Sequence, residues 1–372
     1  MDLALKNREW RTFKLHTIFE IENCKCSKAS SLKKGIYPYV GATNRNNGVL
    51  KFAEPTTEKM ITKGNCVAFI CDGEGSVGYS IYKYENFIGS TTVKVGRNKN
   101  LNRYIGTFIT TIADTARSKY NFGFKRNEKH LKNEVLILPA NTKGEPDYEF
   151  MEAYMRDQEK QKAKTYKTYI DKRLKELKNT QAVESLTEKK WEEFLFPDIF
   201  EIKKGFYNKK PASSNKGKIP FLGATQNNNG ITEYYTKEKI KNTSKTGRGK
   251  NEDFSRKLFK GNCIAVTNNG SVGHAYYQAN QFTCSHDINP LYLKNQILNK
   301  HIAMFLITTI EKQKDCFEYA RKWRPMRMVK SKILLPVTQE GNPDYAYMEN
   351  YMKQLELKKI NSYLNILKPK KK

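Results

Sequence analysis

Stretches in which apolar residues recur every three or four positions alternate along this chain with short apolar runs closed by turn residues. From Asp147 to about Gln181, Met151, Tyr154, Met155, Tyr166, Tyr169, Ile170, Leu174 and Leu177 fall at the spacing of one helical face. No Gly or Pro interrupts this stretch, and it is dense in residues that lose little side-chain freedom in a helix. Charged and polar residues crowd Arg156 to Lys164, so the stripe thins there. At about 1.5 Å per residue the segment makes a rod of roughly 50 Å. A narrow stripe on such a rod calls for a second helix to cover it. Asp344 to Lys368 supplies one, with Met348, Tyr351, Met352, Leu355, Ile360, Tyr363, Leu364 and Leu367 in its stripe. Both rods open alike, Gly144-Glu-Pro-Asp-Tyr148 against Gly341-Asn-Pro-Asp-Tyr345. Asp147 and Asp344 stand where a carboxylate accepts from the first free N–H groups of a helix.

The rods close a unit written twice. Trp10 to Ile21 (WRTFKLHTIFEI) returns as Trp191 to Ile202 (WEEFLFPDIFEI), an offset of 191 − 10 = 181. Tyr37-Pro-Tyr-Val-Gly-Ala-Thr43 returns as Ile219-Pro-Phe-Leu-Gly-Ala-Thr225, each running into an Asn-rich turn. Lys63-Gly-Asn-Cys66 returns as Lys260-Gly-Asn-Cys263, now offset by 260 − 63 = 197. Gly75-Ser-Val-Gly78 matches Gly270-Ser-Val-Gly273, and Leu138-Pro139 matches Leu335-Pro336. The growing offset marks a polar, basic insertion in the second copy, around Lys237 to Arg256. Strands are expected at Cys66–Cys71, Ser80–Tyr84, Glu134–Leu138, Asn262–Val266, Pro290–Leu293 and Lys332–Leu335. Buried helices are expected at Asn102–Ala113 and Lys300–Ile310. The expected division is a domain at 1–146, a rod at 147–186, a domain at 187–343 and a rod at 344–372. The fold class is α+β: two tandem β-rich domains, each followed by a long helix.

Charge adds a partner to this outline. Lys and Arg number 67 against 38 Asp and Glu, a net +29, which points to a polyanion, nucleic acid first and an acidic membrane surface second. No apolar run approaches the roughly 20 residues of a membrane span, and MDLALKNREW has no signal-peptide core. A cytoplasmic protein is therefore expected, and its seven cysteines, an odd number, are expected to be reduced thiols.

Two kinds of segment could meet nucleic acid. The Asn-rich turns, Thr43 to Gly48 and Thr225 to Gly230, offer Asn44, Arg45, Gln226 and Asn227, since Asn and Gln pair with adenine edges and Arg with guanine. Asn47-Gly48 and Asn229-Gly230 read instead as the hairpin turn itself. The segments Arg117 to Arg126 and Tyr319 to Arg327 interleave cations with aromatics, which suits phosphate contact. They offer Arg117, Lys119, Lys125 and Arg126 in one copy and Arg321, Lys322, Arg324 and Arg327 in the other. Lys245, Arg248 and Lys250 of the insertion are further phosphate candidates.

Catalytic motifs are weak. Pro197 to Lys203 has the letters of a metal-dependent nuclease signature, but its carboxylates stand too close in sequence, and the counterpart His16 to Glu22 in the first copy lacks the Asp and the Lys. Asn289-Pro-Leu-Tyr292 has the outline of an amino-methyltransferase motif. It lacks the second Pro, has no counterpart in copy one, and no glycine-rich loop accompanies it. Cys284-Ser285 and His286-Asp287 have no third member for a nucleophile set. Gly-Ser-Val-Gly is no P-loop, because no Gly-Lys-Ser/Thr follows. Cys24-Lys-Cys26 has no second pair to complete a zinc site. No cofactor, metal or catalytic residue is expected, and the chain reads as a binder.

In their order, twice over, these marks resemble the specificity (S) subunits of type I restriction–modification systems, and also those of type IIB systems. The resemblance covers nearly the whole chain. It implies that each domain is a target recognition domain reading half of a split double-stranded DNA site. It further implies helices packed as an antiparallel coiled coil that sets the spacing, two docked methyltransferase (M) subunits, restriction/translocase (R) subunits, and no catalytic centre in this chain. The second rod is much shorter than the first, so full-length pairing is not implied. A stand-alone metal-dependent nuclease or an RNA-binding scaffold is the competing class.

Overall fold

A computed structural model describes residues 3–26, 29–121, 123–213, 217–248, 250–317 and 321–367. Phe122, Tyr319, Ala320 and the residues after Leu367 therefore lie outside the described residues. The chain divides into two compact units, Met1–Tyr169 and Ile170–Lys372, with the boundary inside the first rod. No described helix is long and apolar enough to cross a membrane.

The first unit holds two four-stranded sheets and a two-stranded ribbon. One sheet runs Glu20–Asn23, Val93–Arg97, Cys66–Ile70 and Ser80–Lys83, all antiparallel. The other runs Val49–Ala53, Tyr37–Val40, Phe87–Gly89 and Ile61–Thr62, with a parallel pair in the middle. Cys66–Ile70 is buried at every position, which is why it reads as a continuous apolar run without alternation. Helix Arg103–Ala113 packs with this sheet around Phe19, Phe69, Ile105, Phe108, Ile109 and Leu138. Asn102 caps that helix, accepting from Tyr104 and Ile105 N–H.

The second unit repeats the plan. Phe200–Ile202, Ile288–Leu293, Cys263–Thr267 and Ala275–Gln278 form the first sheet. Ile231–Tyr235, Ile219–Leu222 and Thr283–Cys284 form the second. Helix Lys300–Glu311 covers the core, capped by Asn299. The ribbons explain two of the repeated marks. Trp10 pairs with Pro139 and Trp191 with Pro336, so Trp-x-x-Phe at the start of each copy is zipped to Leu-Pro at its end. Each indole donates to a carbonyl five residues upstream, Leu5 or Leu186, at 3.0 Å. Each also stacks on a phenylalanine of the covering helix, Phe108 or Phe305.

The rods are helices Tyr148–Glu176 and Tyr345–Leu367. Asp147 accepts from Phe150 N–H at 3.0 Å and Asp344 from Tyr347 N–H at 2.9 Å, as the Pro-Asp signature predicts. Within each unit the described stripe of the first rod meets a different partner. Met151 is buried in the first unit's own core, with Tyr154 and Met155 packed against it, because Phe108 presents its ring to Tyr154. Tyr166 and Tyr169 are exposed. Ile170 and Leu177 are buried with Ile360, flanked by Leu174, Leu357, Tyr363 and Leu364. Gln354 donates to Gln181 O and Arg173 binds Glu356, so the two helical ends run in opposite directions over this stretch.

Glu356 is the polar centre of that contact. Its carboxylate accepts from Arg173 Nε (2.7 Å) and Nη2 (2.8 Å) and is 2.9 Å from His301 Nε2, with Lys300 Nζ at 3.8 Å. The Arg173 hydrogen bonds hold its pKa down at about 2. A depressed carboxylate contributes stability above its unfolded pKa of about 4.3 and loses it as pH falls toward the folded value. We therefore expect the second unit to lose stability between about pH 4.5 and 2 through this group. Thermal melts across that range should show the loss flattened in Glu356→Gln; an identical pH profile in the variant would exclude it.

Candidate nucleic-acid interface

In the first unit three loop segments are tied into one surface. The Asn-rich turn joins strands Tyr37–Val40 and Val49–Ala53, and Asn46, Asn47 and Gly48 all take positive φ (49°, 53° and 76°). Asn and Gly are the residues that adopt this conformation at least cost, so Asn47-Gly48 serves the turn. Thr43 Oγ1 accepts from Arg45 N–H at 3.1 Å, which leaves the Arg45 side chain exposed at the tip. Asn44 donates its amide to Tyr79 OH (3.1 Å) and Gly75 O (3.4 Å). Its hydrogens are turned inward, so it anchors the turn and does not offer the donor–acceptor edge that adenine requires. Arg117 lies 4.2 Å over the Tyr79 ring. At Gly78 a Cβ would stand 3.0 Å from Arg117 Cα, so the glycine lets the basic segment lie against this turn. Lys125 binds Asp72 at 2.8 Å and, through that hydrogen bond, lowers the Asp72 pKa. Lys119 is exposed on the same segment. Asn44, Arg45, Arg117, Lys119 and Lys125 are thus brought together. Tyr79, the post on which two of them rest, was missed by motif reasoning; its signal is its place directly after Gly75-Ser-Val-Gly78.

The second unit rebuilds the same surface with other residues. Thr225 Oγ1 accepts from Asn227 N–H at 3.2 Å, and Asn228, Asn229 and Gly230 repeat the positive φ values. Gln226 and Asn227 are exposed at the tip. Tyr276 OH donates to Thr225 O at 2.6 Å, and the Gly273 position meets Lys314 as Gly78 meets Arg117. Arg321 lies 5.8 Å over the Phe317 ring, which itself stacks on Trp323 at 4.7 Å. Arg327 donates to Lys322 O at 2.8 Å, while the Arg324 side chain is exposed.

Arg126 corrects the sequence-based expectation. It is fully buried and cannot reach a phosphate. Its Nε and Nη2 bind Glu134 at 2.9 and 2.5 Å, and its Nη1 donates to Gly78 O and Ser80 Oγ. Tyr120 OH donates to the same carboxylate at 2.7 Å; burial, then this bond, push its pKa well up. The position 197 residues later is Trp323, also fully buried, whose indole donates to Ser331 Oγ at 2.9 Å. Tyr120, Arg126 and Glu134 therefore match Phe317, Trp323 and Ser331. One repeat fills the site with an ion pair, the other with stacked aromatics.

Lys245, Arg248 and Lys250 stand on the insertion, which is joined to the segment Tyr207–Lys209 through hydrogen bonds from Asn208 and Lys209 N–H to Lys245 O. Lys245 is half-buried, its ammonium 5.9 Å over the Phe206 ring. The strings that suggested catalysis have structural partners. Asp198 caps its own turn by accepting from Leu195 N–H, and Glu201 pairs with Lys203. Asn289 is buried, bonded to Asn268 and to Trp323 O. Burial pushes the Cys24 thiol up to about 11, and Cys26 packs in a different cluster.

The family described as "Type I restriction modification DNA specificity domain" matches residues 7–167 and again 188–366. The type II restriction enzyme BgcI specificity subunit S.BcgI of Heyndrickxia coagulans is 29% identical over 355 residues, 95% of this chain and 96% of that one. The crystal structure of the type I restriction–modification system S subunit from M. genitalium has the same fold, with a TM-score of 0.53 at 14% identity over 99% of this chain and 94% of its own. With both units matched, the chain belongs to the type I restriction–modification DNA specificity family, and it is a non-catalytic specificity subunit of a restriction–modification system.

Proposed function

We propose that this chain reads a bipartite site in double-stranded DNA, with residues 1–146 addressing one half and 187–343 the other. The observation that carries the reading is the duplicated surface: in each unit an Asn-rich tip is bonded to a tyrosine, Tyr79 or Tyr276, and a basic residue, Arg117 or Lys314, lies against the last glycine of the Gly-Ser-Val-Gly turn. Exposed Arg117, Lys119, Lys125, Arg321, Arg324 and Arg327 hold phosphates, together with Lys322. Arg45, Gln226 and Asn227 meet base edges in the major groove. The two rods pair as an antiparallel coiled coil, a spacer that fixes the distance between half-sites; the burial of Ile170, Leu177 and Ile360 supports it. Two methyltransferase subunits dock on this frame and supply the chemistry, and restriction/translocase subunits complete the type I form of the complex. The net charge of +29 supports a DNA partner.

Exchange of residues 1–146 for the equivalent module of another specificity subunit is expected to change one half of the methylated motif and leave the other half and the gap intact. Methylome mapping of cells carrying the chimera reads this directly. Alteration of both halves would refute modular recognition.

A further inference from the structure

The insertion of the second unit is a built element. Residues 236–262 number 27 where the first unit spends 12, residues 54–65. Thr236 caps the short helix Lys237–Asn242, and the buried Lys257 ammonium closes its other end. Lys257 Nζ donates to Lys241 O (3.0 Å), Thr243 O (2.8 Å) and the Asn251 side chain. A cation at the carbonyl end of a helix satisfies groups that have no partner within it. Tyr207 OH donates to Ile240 O at 3.1 Å, and Asn251 Nδ2 to Lys241 O at 2.7 Å.

Against this frame Lys209, Lys210, Lys239 and Arg248 line one open cleft, floored by Pro211, Ala212 and Gly247. No acidic side chain lines it, and none pairs with Lys209, Lys239 or Arg248 among the described residues. The stem of Lys209 lies 3.1 Å from where a Cβ on Gly247 would stand, so that glycine lets the lysine lie flat along the loop. Residues 237–256 carry seven Lys and Arg against three Asp and Glu, 7 − 3 = +4. The cleft suits a row of phosphates. Among the described residues it has no aromatic lining either, and a site for unstacked single strands uses aromatic platforms.

We propose that this cleft grips the phosphodiester backbone of duplex DNA held by the second unit, a contact without counterpart in the first. The inference rests on the reading of both units as DNA binders and adds to it an asymmetry between the two half-sites.

The test is a salt titration of the full chain with a short mixed-sequence DNA duplex, followed by fluorescence anisotropy. In Lys209→Gln/Lys239→Gln/Arg248→Gln the slope of log affinity against log salt should fall by about 2–3, at roughly 0.9 for each phosphate no longer neutralised. The control Lys6→Gln/Lys143→Gln/Lys178→Gln removes the same charge from exposed lysines elsewhere and should leave the slope nearly unchanged. Unaltered thermal melts show that both variants fold. A wild-type slope in the cleft variant, or an equal fall in the control, overturns the proposal. A fall seen with duplex RNA and not with DNA overturns it as well. If the wild-type chain shows no salt-dependent DNA binding at all, the fault lies with the reading of both units as DNA binders, not with the cleft.

Discussion

Arg126→Met should cost the first unit about 3–5 kcal/mol of stability, the usual consequence of removing one partner from a buried ion pair. The variant leaves the Glu134 carboxylate, in a residue only 5% exposed, with Tyr120 OH in place of the arginine as its donor. The change also strips donors from Gly78 O and Ser80 Oγ, at the root of the Gly-Ser-Val-Gly turn. The surface built on that turn should loosen before the unit unfolds. The second unit already holds an uncharged solution at the same position. Tyr120→Phe/Arg126→Trp/Glu134→Ser imports it and should recover much of the loss, because replacing a buried ion pair as a whole by packed apolar groups is often neutral or better. Calorimetry resolves this, since two units need not melt as one transition. If the single variant melts with the wild type, the ion pair is not what holds the segment down.

Exchanging the tips of the two Asn-rich turns, Arg45→Asn with Asn227→Arg, should exchange one base between the half-sites. The two residues occupy one structural position. Each follows a Thr whose hydroxyl accepts its N–H, at 3.1 and 3.2 Å, and each side chain is exposed. Arg pairs bidentately with guanine and Asn with adenine, each worth about 1–3 kcal/mol of discrimination. The motif methylated by cells carrying the exchanged chain should therefore lose a G·C pair from the first half and gain one in the second. Both substitutions lie at the surface and touch no core residue, so folding should be unaffected. An unchanged motif would remove these positions from the readout.

Much of the architecture was legible because it was written twice. Apolar runs placed the strand Cys66–Ile70 and the helix Arg103–Ala113 within a residue or two, and Pro-Asp located the start of each rod. The sheets themselves were not legible, since the parallel pairing of Tyr37–Val40 with Phe87–Gly89 joins segments almost fifty residues apart and leaves no periodic trace. Helical spacing identified a stripe on the first rod but not what covers it. Met151 and Ile170 look alike in sequence, yet one enters a domain core and the other meets Ile360. Arg126 sits in a string of cations that composition assigns to solvent. Its true partner, Glu134, stands just before a strand eight residues on, and only the burial of both reveals the pair. Arg117 and Lys125 from the same string are exposed, so the charge pattern identified the segment without sorting its members.

The ribbon that pairs Trp10 with Pro139, and Trp191 with Pro336, has a consequence for heredity. The polypeptide comes into each globular body and departs from it along neighbouring strands, like a loop pinched at its neck. A stretch of gene lying between the two sides of that neck can be replaced by a homologous stretch of different length, as the fifteen extra residues of the second copy show (27 − 12 = 15), without altering where the following helix begins. Recombination at two repeated borders can thus exchange the body of a unit while the start of its helix stays where it was.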